Sequence, residues 1–118
     1  MILRTCGRCG AEYEWGVHVT VFGGKAGWTA DQLHSSVYGG ASDACWSAED
    51  QLVIRLADQL HDTHRVDDPL WKDLSAHFGA EQLIELIVLA GLYHGVSYLI
   101  NAIGIQGETF APGFPQAT

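Results

Sequence analysis

The sequence predicts an all-α domain of five or six helices, and three observations carry that expectation. Apolar residues Leu52, Val53, Leu56, Ala57 and Leu60 recur at helical spacing and form one stripe. Helix-start signals recur along the chain: Thr29 with Gln32, Ser47 with Glu49 and Asp50, and Asp68 before Pro69. No period-two apolar run of useful length marks a strand. With 47% hydrophobic and only 17% charged residues among 118, the chain reads as a single folded domain rather than a disordered one. That length can bury about two thirds of the unfolded surface.

Residues 2–8 (Ile-Leu-Arg-Thr-Cys-Gly-Arg) read as the end of a helix whose beginning is absent, because no N-cap residue precedes Ile2 and Leu3. Gly10 permits a break, and Ala11 to Phe22 reads as the second helix, stopped by Gly23-Gly24 with Lys25 near its carbonyl end. Thr29 and Gln32 have capping-box spacing for a short helix ending at Gly39-Gly40. Ser47 opens the next helix, whose first turn holds two acids that suit the helix dipole. Asp68 as N-cap and Pro69 at the first helical position open a fifth, running to His77 or Phe78. After Gly79 comes a long helix over about 81–103, apolar nearly all round, which reads as a buried helix at the centre of a bundle or in an oligomer interface. Gly91 and Gly95, four apart, offer a close approach to another backbone. The domain is expected over 1–108, with an irregular tail over 109–118 containing Pro112 and Pro115.

Six basic against fourteen acidic residues give a net charge of −8 with no basic cluster, which argues against nucleic acid and anionic membrane as partners. No secretory signal is visible at the start, and three cysteines make no even-numbered disulfide framework. A cytoplasmic location is therefore expected. Leu83 to Ile103 is long enough to span a bilayer, but it contains Glu85, His94, Ser97 and Asn101 and has no charged flanks, so no membrane span is expected.

The chemistry concentrates in Cys9-Gly-Ala-Glu-Tyr-Glu-Trp-Gly-Val-His18. On a helix, Glu14 and His18 stand four apart on one face, where a carboxylate can orient an imidazole for acid/base work. The same pair on a solvated face would be ordinary surface. Cys6-Gly-Arg-Cys9 is a C-x-x-C, open to three readings: a redox pair, half of a zinc site, or two small buried thiols. Zinc would need two further ligands; His18 and Cys45 are the candidates, and with no second paired motif no metal is expected. Tyr93, His94 and Asn101 lie along the last helix, where 94 and 101 share a face and could present polar groups to a pocket. His61 and His64, at the end of the fourth helix, read as C-terminal dipole partners.

The run from Cys9 to Val19 resembles the core of the carboxymuconolactone decarboxylase family, whose superfamily includes the alkylhydroperoxidase D-like proteins. The resemblance extends through Gly27-Trp28-Thr29, Trp46-Ser-Ala-Glu49, Ala57-Asp-Gln-Leu-His61, Trp71, His77-Phe78, Gly91-Leu-Tyr93 and Asn101-Ala-Ile-Gly-Ile105, covering nearly all of 2–108. It implies an alkylhydroperoxidase D-like helical bundle, here lacking its N-terminal helix, that assembles as a homotrimer or hexamer. The peroxidase branch of the family places its C-x-x-C where this chain has Ala11 and Glu14, so Cys6 and Cys9 are out of register with it. The family's upstream Glu would precede Met1. Glu14-Trp15-Gly16-Val17-His18 is similar instead to the Glu-aromatic-x-x-His of the decarboxylase branch.

That likeness implies cofactor-free acid/base chemistry on a small carboxylate or lactone. His18 would be the acid/base, Glu14 its orienting partner, and Glu12, Tyr13, Trp15, Tyr93, His94 and Asn101 the pocket residues. The expected partners are the chain itself and a small-molecule substrate. A shifted thiol peroxidase using Cys6 and Cys9, or a non-catalytic scaffold, stays open beside it.

Overall fold

The shortest helix is the hub of the fold. In the computed structural model, which describes residues 1–107 and 110–118, six α-helices and no strand occur among the described residues. They are α1 (Ile2–Arg8), α2 (Glu12–Ala26), α3 (Ala30–Tyr38), α4 (Ala48–Thr63), α5 (Asp68–His77) and α6 (Ala80–Ile103). The domain boundary expected at 108/109 falls on residues outside those described. Helix α1 packs on α2, α3, α4 and α6 at once. The closest of these approaches is made at a glycine. A Cβ at Gly7 would meet the Ser36 carbonyl oxygen at 2.6 Å, so α3 rests directly on α1 backbone.

Two apolar clusters hold the bundle. One joins Leu3 and Cys6 of α1 to Ala11 and Trp15, with Val37 and Tyr93 packed around them. The other, Leu56, Leu70, Leu74 and Leu83, ties α4, α5 and α6 together. Between them, buried Arg4 donates from Nε to Asp58 Oδ1 at 2.7 Å and from Nη2 to Asp58 Oδ2 at 3.1 Å. Its Nη1 donates to the Ser35 carbonyl at 3.1 Å. Arg8 adds a contact to Asp58 at 3.0 Å and a second to Asp62, so two guanidinium groups share one acidic corner.

The capping signals are used with small displacements. Thr29 and Gln32 form the reciprocal capping box, with bonds of 3.1 and 3.0 Å, and Ser47 caps α4. Helix α2 runs through Gly23-Gly24 and stops only at Gly27. The left-handed backbone (φ 65°) that closes a helix is reached there, and two adjacent glycines in αR conformation do not by themselves stop one. The cap of α5 is Asp67, one residue earlier than the sequence reading, because its carboxylate accepts from Leu70 N at 2.9 Å; Asp68 and Pro69 then occupy the first turn. The tail is irregular as expected, but it is docked. Phe114 packs edge-on against Trp15 with centroids 5.5 Å apart, and its N–H donates to Glu12 Oε2 at 3.0 Å. The tail reaches α2 backbone at Gly16, where any Cβ would collide with the Pro112 carbonyl.

Helix α6 departs most from expectation. It is long and apolar enough to cross a membrane by length and composition, yet only 22% of its most apolar window is buried, so it is not a buried central helix of this chain. Its inward stripe is Leu83, Ala90, Ser97 and Ile100. The opposite stripe, Ile84, Val88, Leu92, Leu99 and Ile103, is exposed. Gly91 and Gly95 lie toward open space, with no backbone approaching them among the described residues.

Candidate functional site

Helix α2 positions Glu14 and His18 one turn apart, and packing against α6 brings Tyr93 to them. His18 is 8% exposed. Its Nδ1 lies 3.1 Å from Glu14 Oε1 and 3.1 Å from the Glu14 carbonyl oxygen. Both of those atoms can only accept from it when Glu14 is ionised, so Nδ1 carries the hydrogen. The other nitrogen, Nε2, is then free to accept from the Tyr93 hydroxyl, 3.0 Å away. The Tyr93 ring meets the imidazole edge-on, with centroids 5.2 Å apart, and Phe22 lies against its other side at 5.2 Å. Burial pushes the Tyr93 phenol above its ordinary value of 10.0, with Glu14 and Cys6 adding to the effect, so the hydroxyl keeps its proton.

Beside this Glu14–His18–Tyr93 chain opens a cavity of about 710 Å³, within the range of small-molecule sites. His18, Phe22 and Tyr93 line it, with Ile2 and Leu3 of α1, Val53 and Ile54 of α4, and Leu86 and Leu89 of α6. The lining is mostly apolar. Its cationic side chains are Lys25 and Arg4, Arg4 already committed to Asp58, and Asp50 adds one carboxylate. Arg8 and Arg55 do not line it; Arg55 faces Asp73 at 3.3 Å near the surface.

The other candidate residues disperse. Trp15 is fully buried and donates from Nε1 to Ser36 Oγ at 2.9 Å, which makes it a core anchor. Glu12 holds the tail at Phe114 and Tyr13 lies half-buried on the first turn of α2. Asn101 donates from Nδ2 to the Cys9 carbonyl at 2.8 Å. His94 turns to His61, with its Nε2 3.0 Å from His61 Nδ1, and Cys9 Sγ lies 3.8 Å from that same Nδ1. None of these residues lines the His18 cavity. His61 is therefore no mere dipole partner at a helix end. Its place was legible: Ile54, Ala57, Asp58 and His61 follow i, i+3, i+4, i+7, which is the inward face of α4.

The two thiols of the C-x-x-C differ sharply. Cys6 is fully buried, and burial first, then Glu14 and Cys9, pushes its thiol up to about 12. Little thiolate exists there at neutral pH, which disfavours Cys6 as a redox nucleophile. The buried Ser97 hydroxyl lies near both thiols and counters part of the rise in each. A pH effect follows. The unfolded thiol ionises from its ordinary 9.0, whereas the folded thiol resists. The folded chain therefore binds more protons across that interval, and stability falls as pH rises through it. We expect the urea midpoint to decline between pH 9 and 12, and to decline less steeply in Cys6→Ala. Equal slopes in the two proteins would refute the assignment.

Comparison with protein families, with curated proteins and with solved structures returns no match for this chain.

Proposed function

We propose that this chain is a cofactor-free acid/base enzyme of the carboxymuconolactone decarboxylase kind, acting on a small carboxylate or lactone. One observation carries the reading: an imidazole held by a carboxylate on one nitrogen and a phenol on the other, on the wall of a cavity of about 710 Å³. In this role Glu14 fixes the ring and its tautomer. His18 accepts or returns a proton through Nε2, and the Tyr93 hydroxyl is both the first proton donor a substrate meets and a hydrogen bond for a developing oxyanion. In a decarboxylation the bond to the carboxylate breaks, its electron pair passes to the adjacent carbon, and that carbon takes the proton. The apolar walls favour loss of charge as carbon dioxide leaves. Lys25 is the cationic side chain of the lining that would attract an anionic substrate.

A panel of lactone acids and β-keto acids, followed by carbon dioxide release and lactone consumption, tests this. Turnover that survives loss of His18, or that needs peroxide together with Cys6 and Cys9, would reject it.

The reading includes a soluble, cytoplasmic homo-oligomer, and the exposed α6 stripe supports self-assembly. Ile84, Val88, Leu92, Leu99 and Ile103 make a continuous apolar face along a 24-residue helix, with Gly91 and Gly95 leaving its backbone bare. Such a face on a free monomer is an association site. Light scattering after size exclusion should give a trimer or hexamer for the parent chain and a folded monomer for Val88→Glu/Leu92→Glu. A parent chain that runs as a monomer at micromolar concentration would refute the assembly.

A further inference from the structure

Three helices bring one ligating atom each to a single point on the face of α6 next to Tyr93. Cys9 Sγ comes from the C-terminal end of α1, His61 Nδ1 from the last turn of α4, and His94 Nε2 from the middle of α6. The three atoms lie within 4.8 Å of one another. We propose that Cys9, His61 and His94 form a binding site for a zinc-class divalent cation, with water completing the coordination.

The spacing carries the argument. A tetrahedral zinc ion with bonds of about 2.3 Å to sulfur and about 2.0–2.1 Å to nitrogen sets its nitrogens about 3.3 Å apart and sulfur about 3.6 Å from nitrogen. Here His61 Nδ1 and His94 Nε2 are 3.0 Å apart, and Cys9 Sγ is 3.8 Å from His61 Nδ1. Movements of a few tenths of an ångström bring these two sides to the tetrahedral values, and the third, from Cys9 Sγ to His94, lies within 4.8 Å and closes by at most about an ångström through rotation of the Cys9 side chain.

The outer contacts suit the same role. His94 Nδ1 lies 2.7 Å from the Ala90 carbonyl, which can only accept, so the hydrogen sits on Nδ1 and the Nε2 lone pair faces the cluster. Ligating histidines are oriented by such carbonyls. Asn101 fixes the Cys9 backbone through its carbonyl, and the buried Ser97 hydroxyl lies beside the Cys9 thiol. Arg8 shares this corner, but Asp58 and Asp62 bind its guanidinium.

One thiolate and two imidazoles select borderline metals such as zinc over magnesium or calcium, which want oxygen. Binding replaces the Cys9 thiol proton, which leaves to solvent, and the hydrogen that His61 Nδ1 donates to His94 Nε2 in the metal-free chain moves to His61 Nε2, so both imidazoles bind neutral and no electron moves. Neither His18 nor Cys45 belongs to the cluster, and none of the three ligands lines the His18 cavity. The site stands whether or not the chain is a decarboxylase.

The chain, stripped with a chelator, is titrated with zinc and, as a spectroscopic probe, with cobalt(II). The expected result is one ion per chain, a thiolate-to-cobalt charge-transfer band, and a Tm that rises with zinc concentration. Cys9→Ser should abolish the band, and His94→Ala should weaken binding by more than the ~10–100-fold that loss of an outer contact costs. Cys45→Ser should change neither. Should a ligand variant fail to fold, alkylation of the parent chain decides: zinc is expected to protect Cys9 and leave Cys45 reactive, as read by peptide mass spectrometry. Weak binding without the band, or Cys9 labelling indifferent to zinc, overturns the site.

Discussion

Asp58→Ala is expected to destabilise the protein by about 3–5 kcal/mol, toward the lower end of that range, because it strips a buried guanidinium of its counter-charge. The Arg4 side chain is 7% exposed and Asp58 23%, so the charge left behind is the more deeply buried of the two. The Ser35 and Ser36 carbonyls remain as acceptors for Arg4 but do not neutralise it. Arg8 loses one partner and keeps Asp62. Asp58→Asn, which preserves shape but not charge, should fall between parent and alanine. Arg4→Met/Asp58→Leu should recover much of the loss, since removing both partners leaves no unpaired charge. Urea unfolding measures all three. A loss below about 1 kcal/mol for Asp58→Ala would mean the pair behaves as a surface bridge, and the buried corner would not be the joint it looks to be.

The second large effect is catalytic. With the proposed chemistry, His18→Ala should lower kcat by about 10²–10⁴-fold, the usual contribution of a positioned acid/base. The change removes the group that links Glu14 to Tyr93, so the phenol keeps its place on α6 with nothing to exchange protons with. Tyr93→Phe should cost less, since His18 still faces the cavity. Glu14→Gln should lower kcat with little change in KM, because it perturbs the ring and its tautomer rather than the cavity wall. Circular dichroism must show each variant folded. Full activity in His18→Ala would reject both the assignment and the acid/base reading.

The fold was legible where a signal is local. Caps at Thr29 and Ser47 and the stripe in 52–60 depend on neighbours in sequence, and the helices stand where those signals put them. The misplacements have local causes too: Gly23-Gly24 can be helical, and Asp67 competes with Asp68 for the same cap. The central-helix reading of α6 fails within one chain because composition cannot say which apolar face finds its partner there. At the site, Glu14 and His18 were readable from their spacing, since one helix fixes both. Tyr93 was named for the pocket, but its bond to His18 spans 75 positions and depends on the packing of α2 on α6. The cluster of Cys9, His61 and His94 draws on three helices, and spacing within any one of them could not announce it.

Helix α1 has only seven residues, too few to be stable alone in water. It borrows its order from four neighbours, yet it supplies Leu3 and Arg4 to one site and ends at Cys9, a member of the other. Neither the cavity wall nor the three-atom cluster can therefore exist as a fragment or in a partly assembled chain. The cavity wall and the three-atom cluster both wait on the docking of α1. A change that loosens α1 would therefore reach both places at once, although neither contains the altered residue.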